Sequence, residues 1–230
     1  MIRWMGRYKK VAFVVSDGVP YIALVFLLAL LITLSARFFA DTALVIIAVV
    51  AWLLALEVTY FFRDPERYPP QGSGLVVSPA DGKVIDIRTV EEEKVIKGTC
   101  IRISIFMNIF DVHVNRAPLA GEITYLHYNP GKFISAFNEK ASLDNEQVAL
   151  GICGETGGKR TPIMVKLIAG LIARRIVLWK DMGQTLKQGE RMSLIKFGSR
   201  VEIFLPPNAT ISVRVGDRVK AGETVMASLG

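Results

Sequence analysis

Val19 to Ala36 reads VPYIALVFLLALLITLSA, and Thr42 to Leu56 reads TALVIIAVVAWLLAL. The architecture turns on how these two charge-free runs are read. A bilayer core takes roughly 17–25 apolar residues per helix. The first run has that length; the second reaches it if Glu57 lies at the interface and Val58 to Phe62 extend the helix. Arg37 to Asp41 form a short polar break, so the pattern predicts a helical hairpin with helices at about 19–36 and 42–60. Trp4, Tyr8, Trp52, Tyr60, Phe61 and Phe62 are suited to interfacial positions. Arg3, Arg7, Lys9 and Lys10 precede the first run, and Arg63 and Arg67 follow the second. The positive-inside bias then puts both ends in the cytoplasm. No short apolar region ends at a small-residue cleavage site, which argues against a signal peptide. The competing reading is a hairpin buried in a soluble core. On the membrane reading, residues 1–62 are a transmembrane hairpin in the cell (inner) membrane, with the rest on its cytoplasmic face.

Beyond the hairpin the texture changes. RDPERYPPQGSG, residues 63–74, is a Pro, Gly and charge-rich linker. Short β-branched runs bounded by turn residues follow: Leu75–Val77, Lys83–Arg88, Cys100–Phe106, Glu122–Leu126, Ile163–Leu167, Ile176–Leu178, Arg200–Leu205 and Ile211–Val215. Ile168 to Arg175 fits either a strand continuation or a short helix. Residues 75–230 therefore read as a mainly β domain. Its last stretch, VRVGDRVKAGETVMASLG, has the strand–turn–strand look of a barrel-sandwich hammerhead, loosely echoed at SPADGKVIDI and APLAGEITYL.

Composition narrows the chemistry. The 230 residues hold 28 Lys+Arg against 21 Asp+Glu, a net charge of +7, but only two His and two Cys. A structural zinc site takes four ligands, mostly Cys and His, so no metal centre is expected. Cys100 and Cys153 form no CxxC and no disulfide framework. The basic residues are scattered among acidic ones, which speaks against nucleic acid. Reactivity is left to carboxylates, hydroxyls, cations, an imidazole, or a group built from the backbone.

Three places stand out. Asp81, in SPADGKV, is first of all an Asp-Gly turn residue. His113, in FDVHVNRAP, has the side chain most often used as a general base. If its segment is a strand, Asp111, His113 and Asn115 share one polar face; a structural histidine fits as well. His127 reads as structural. FGSR, Phe197 to Arg200, is by frequency a turn. It can also be a self-cleavage site, where the serine hydroxyl attacks the preceding carbonyl and glycine permits the distorted peptide. Elimination and hydrolysis would then leave a pyruvoyl group at position 199.

Taken together, FFRDPER after the hairpin, SPADGKV, FDVHVNRAP, HYNPGKF, KASLDNEQ, IAGLIARRI and FGSR stand in an order that resembles the phosphatidylserine decarboxylases of the short, membrane-hairpin type. The resemblance covers nearly the whole chain. It implies a barrel-sandwich-like catalytic domain cut between Gly198 and Ser199 into chains 1–198 and 199–230. It also implies a pyruvoyl group made from Ser199, a Schiff base with a serine phospholipid, and release of CO2 to give the ethanolamine lipid. Asp81 and Ser199 match the family's processing triad. Longer members carry a second His three residues after the first, where this chain has Arg116, so His113 or Asp81 is left to deprotonate Ser199. FGSR keeps the Gly-Ser pair of the family's usual LGST and differs at both ends. Arg63, Arg67 and Arg116 are candidates to meet the lipid phosphate, Arg116 as a substrate-binding residue. The expected partners are the lipid, the membrane and the chain's own two fragments, with pairing to a second copy open because exposed edge strands invite it.

Two other classes compete. A membrane-tethered carrier module would use the VGDRVKAGETV segment, but no modified Lys stands clearly at a hairpin tip. A serine hydrolase would need a nucleophile elbow, and GxSxG is absent.

Overall fold

The computed structural model describes residues 8–131, 144–170, 175–196 and 199–230. The chain divides into two compact units, Tyr8–Pro65 and Glu66–Gly230.

In the first unit, β1 (Lys10–Val11) and β2 (Val14–Val15) form a small antiparallel hairpin, and one 3-10 turn leads into α1 (Val19–Phe39). Pro20 sits in the first turn of α1, where its missing N–H is no loss. The helix ends at Ala40, which turns left-handed with φ 50°. Asp41 then caps α2 (Thr42–Phe61), accepting from the Ala43 N–H at 2.7 Å and the Leu44 N–H at 3.3 Å. Apart from Phe61, the buried residues of the two helices are Ala29, Ala36, Ala48 and Ala55. Small residues of this kind let helices approach closely. Trp52 Nε1 donates to Thr33 Oγ1 at 3.1 Å, and its ring meets Phe26 edge-on at 5.4 Å. The large apolar side chains point away: Leu34 is 56% exposed and Ile46 61%. A soluble core would bury these groups, at roughly 1.5–3 kcal/mol each. Both helices are long and apolar enough to cross a membrane, and the exposed leucines and isoleucines count against the soluble-core reading.

The second unit is mainly β. Its strands are β3 (Leu75–Val77), β4 (Gly82–Glu92), β5 (Gly98–Met107), β6 (Val114–Arg116), β7 (Gly121–Asn129), β8 (Gln147–Thr156) and β9 (Lys159–Ala169). They continue with β10 (Ile176–Leu178), β11 (Thr185–Leu186), β12 (Arg191–Ile195), β13 (Ser199–Leu205), β14 (Thr210–Ile211), β15 (Arg218–Val219) and β16 (Val225–Ser228). An eight-stranded sheet in the order β11-β7-β8-β9-β13-β5-β4-β15 curls as a half-barrel. Two three-stranded sheets, β10-β12-β6 and β14-β16-β3, complete the unit. The hammerhead-like C-terminal words are β14 to β16. They pair back onto β3 and β4, so they belong to this domain and do not form a separate module.

Several strands escape the sequence pattern, β8 and β12 the longest of them, and the strand expected over Ile211–Val215 is limited to Thr210–Ile211. β8, QVALGICGET, is broken by glycines that lower strand preference, but ten-residue ladders with β9 and a long one with β7 override it. β12 is short and mixed in polarity, and is held between β6 and β10. Ile168 and Ala169 end β9 as a strand continuation; residues 171–174, in the middle of IAGLIARRI, lie outside the described residues.

β13 is the most enclosed strand of the large sheet. It is antiparallel to β5 on one side and β9 on the other, and all seven of its residues are buried. Val201, Ile203 and Leu205 enter the main core with Ile103, Ile105, Val165 and Leu167. The alternate residues face the other side and carry a buried ion pair. There Arg200 Nη2 donates to Glu202 Oε1 and to Ser104 Oγ, both at 3.0 Å.

Candidate active site

Asp81 closes a turn that three backbone hydrogen bonds pin in place. The Ser78 N–H donates to the Thr224 carbonyl at 2.8 Å, and the Gly222 N–H returns a bond to the Ser78 carbonyl at 2.8 Å. The Arg116 N–H donates to the Pro79 carbonyl at 2.9 Å. Gly82 follows with φ 153°, and a Cβ there would stand 2.3 Å from the Phe106 carbonyl oxygen. Asp-Gly is thus a turn, as its composition indicates, and the turn buries the carboxylate. Asp81 Oδ1 accepts from the Ala221 N–H at 2.7 Å, and Oδ2 accepts from Arg67 Nη2 at 2.8 Å. Burial pushes the Asp81 carboxyl above the usual carboxylate range, and the Asp111 charge adds to this. Arg67 and the Ala221 N–H oppose the shift. Gly82→Ala should destabilise the domain by about 1–3 kcal/mol from backbone strain alone, and more if Phe106 cannot move. Denaturant unfolding measures it; an unchanged midpoint would contradict the close approach.

His113 precedes β6. The loop before it is a reciprocal turn, with the Asn108 N–H on Asp111 Oδ2 at 2.9 Å and the Phe110 N–H on Asn108 Oδ1 at 2.8 Å. The imidazole is fully buried, and its Nδ1 lies 3.0 Å from the Asp111 carbonyl oxygen. A carbonyl only accepts, so this contact assigns the proton to Nδ1 and leaves Nε2 as the basic nitrogen. The strand that would set Asp111, His113 and Asn115 on one face begins only at Val114, so Asp111 and His113 lie outside it. Val112 through Arg116 are all buried, because β6 is covered on both sides.

Ser199 opens β13, paired with Met107 of β5 and Ala169 of β9. It is fully buried, and its hydroxyl donates to Met107 Sδ at 3.2 Å. A thioether is a weak acceptor, so this hydroxyl is held loosely for a buried group. Phe197 and Gly198 lie outside the described residues.

The ladder brings these positions to one end of the large sheet. Lys83, Phe106, Arg200 and Ile168 stand in register across β4, β5, β13 and β9. Asp81 therefore enters the sheet beside the row that holds Met107 and Ser199. β4 and β13 both flank β5, so their backbones are two strand spacings apart, about 9–10 Å. His113 arrives at the same end, six residues after Met107, and its carbonyl accepts from the Ile195 N–H at 3.3 Å on the strand that leads to Ser199.

The expected rim cations are placed differently from one another. Arg63 stacks on the Tyr60 ring at 3.6 Å. Arg67 is drawn inside, bound to Asp81 and, at 3.0 Å, to Glu223. Arg116 is buried, and its Nη1 donates to the Gly189 carbonyl at 3.0 Å. His127 lies elsewhere, lining a cavity of about 590 Å³ with Tyr125, Gln147 and Lys166 on the face opposite Ser199. Of the quoted words, 132–133 of HYNPGKF and 140–143 of KASLDNEQ lie outside the described residues. Met107, Ala221 and Glu223 carry no catalytic signature in sequence; only the fold shows them at the site. Among the described residues no cluster of His, Cys, Asp and Glu is placed to hold a metal.

Known proteins give this arrangement a context. Residues 54–227 match the family model for phosphatidylserine decarboxylase. A phosphatidylserine decarboxylase proenzyme of Syntrophus aciditrophicus is 44% identical over 220 residues, covering 96% of this chain and 99% of the relative. The proenzyme of Desulfotalea psychrophila is 43% identical, covering 94% and 96%. That of Symbiobacterium thermophilum is 49% identical over 176 residues, covering 76% and 80%. The match runs from the end of the hairpin through β13 almost to the C-terminus, and by it the chain belongs to the phosphatidylserine decarboxylase family.

Proposed function

We propose that this protein is a self-processing carboxy-lyase that converts phosphatidylserine to phosphatidylethanolamine and CO2. The observation that carries the reading is Ser199, a buried and weakly held hydroxyl at the first position of a central strand, in a chain of this family. Self-cleavage needs no group from outside except water. Ser199 Oγ gives up its proton and attacks the Gly198 carbonyl carbon, and the peptide C–N bond breaks to leave an ester and a free amine. Loss of the Ser199 α-proton expels the Gly198 carboxylate and leaves dehydroalanine. One water then replaces its nitrogen, which departs as ammonia, and a pyruvoyl group caps residues 199–230.

The residues present fit such a group. A ketone at position 199 would sit where the fully buried serine sits now, between β5 and β9 and away from bulk water. When present, it supplies a carbonyl that can condense with the substrate amine and take up the electron pair left by departing CO2. The basic Nε2 of His113 is suited to accept the Ser199 proton during maturation, and the protonated ring is suited to return a proton to the substrate carbon. The hairpin holds the domain beside an insoluble lipid, and the basic residues flanking both helices favour the cytoplasmic face of the cell membrane.

The test is release of labelled CO2 from phosphatidylserine carrying the label in its carboxyl carbon, with the ethanolamine lipid formed in equal amount. Purified protein in mixed micelles should release both. Cut protein that releases neither would sink the reading.

A further inference from the structure

Arg67 lies two residues beyond the end of the first unit and is 9% exposed at its side chain. Its fork reaches two carboxylates, Asp81 at 2.8 Å and Glu223 at 3.0 Å. Asp81 belongs to the large fragment and Glu223 to the small one, so the guanidinium bridges the future cut. We propose that Arg67 is a positioning residue for self-cleavage, fixing the Asp81 carboxylate in its ionised form and in register with the segment that carries Ala221 and Glu223. The proposal rests on the reading of Ser199 and Asp81 as processing residues.

Geometry supports it from three sides. Asp81 has both oxygens committed, one to the Ala221 N–H and one to Arg67, so its plane is fixed by one contact from each side of the cut. A buried carboxylate needs such partners, because desolvation penalises its charge. The charged groups around it otherwise pull in opposite directions. Asp111, from the β5–β6 loop, raises the Asp81 pKa and is itself paired with Arg218 at 3.1 Å. Arg116, from β6, passes the same turn: its Cδ stands 3.0 Å from where a Gly222 Cβ would be, with Arg67 Cβ at 3.7 Å. Arg116 spends Nη1 on the Gly189 carbonyl, and Lys220 is exposed. Arg67 is the cation in direct contact with the Asp81 carboxylate.

Loss of Arg67 should shift cleavage toward alkali. Burial already lifts the Asp81 pKa, and Arg67 lowers it. Without Arg67 the carboxylate forms only at higher pH, so the cleavage profile should move to higher pH as a whole. A neighbouring cation is typically worth about 1–3 pH units.

The experiment follows self-cleavage of full-length protein, made in short-pulse synthesis, by intact mass across pH 5.5–9.5. Arg67→Gln should slow cleavage on the acid side of the profile and move its midpoint upward by about 1–3 units. Arg67→Lys keeps the charge but loses the two-pronged fork, and should restore the midpoint while recovering only part of the rate. Thermal melts of both variants check that they are folded. An unmoved midpoint in Arg67→Gln, or equal profiles for Gln and Lys, overturns the proposal. If wild-type chain is itself uncut, the reading of Ser199 fails first. If Asp81→Asn is cut normally, the reading of Asp81 fails; with both sound, an unmoved midpoint counts against Arg67 alone.

Discussion

Ser199→Ala leaves an uncut chain of 230 residues with no decarboxylation above background. The wild-type chain should give a large fragment and a 32-residue fragment, Ser199–Gly230, whose N-terminus is closed to Edman degradation. The effect is total because the hydroxyl is the only atom lost, and both reactions depend on it: the first as nucleophile, the second through the group made from it. Little else should change. Ser199 makes one weak hydrogen bond, to the Met107 sulfur, and alanine fills nearly the same volume. The melting temperature of the variant should match that of uncut wild-type protein. A variant that is still cut at 198/199, or still decarboxylates, would remove the basis of the proposed function.

Asp81→Asn carries the second large effect. The amide keeps the shape and can still accept from the Ala221 N–H, but the charge is gone. Self-cleavage should fall by about 10²–10⁴, the usual range for losing proton-transfer assistance, and should not recover at any pH. Stability should change far less. The folded-state pKa of Asp81 is raised, so its ionisation costs folding energy as pH rises through that value, whereas the protonated form is favoured below it. A neutral asparagine escapes this cost but turns its NH2 on the Arg67 guanidinium, which keeps its pair with Glu223, so the variant should stay folded at neutral pH with a small loss of melting temperature. Loss of cleavage with stability preserved would mark Asp81 as functional. Equal losses in both would mark it as a turn residue whose removal damages the fold.

Much of the architecture was legible because its physics is local. Eighteen charge-free residues at Val19–Ala36 announce a long apolar helix, and β-branched runs such as Cys100–Phe106 form strands where they stand. β8 was not legible, since Gly151 and Gly154 weaken its pattern and its strand character comes from partners on both sides. The candidate site divides in the same way. Asp81, His113 and Ser199 can be singled out by residue type and neighbouring words. Their arrival at one end of a sheet depends on the β4-β5-β13 order, which no local pattern encodes. Arg67 shows the limit most clearly. In sequence it is one of several cations after an apolar run; its carboxylate partners lie 14 and 156 residues away.

If the chain is cut as proposed, the place of β13 inside the sheet bears on how long the cut protein lasts. Of the four strands in residues 199–230, β13, β15 and β16 are each zipped to strands of the larger piece. Severing one peptide bond at the mouth of β13 removes none of these ladders, so the two pieces remain one folded body with two chain ends more. The way back is different. A nascent chain finds its sheet once, as a single molecule; a denatured mature enzyme is two molecules that must meet again, at a rate that falls with dilution. Heated and cooled, the proenzyme should regain its fold and the cut form should not. Persistence of the active protein is therefore a matter of its unfolding barrier rather than of an equilibrium.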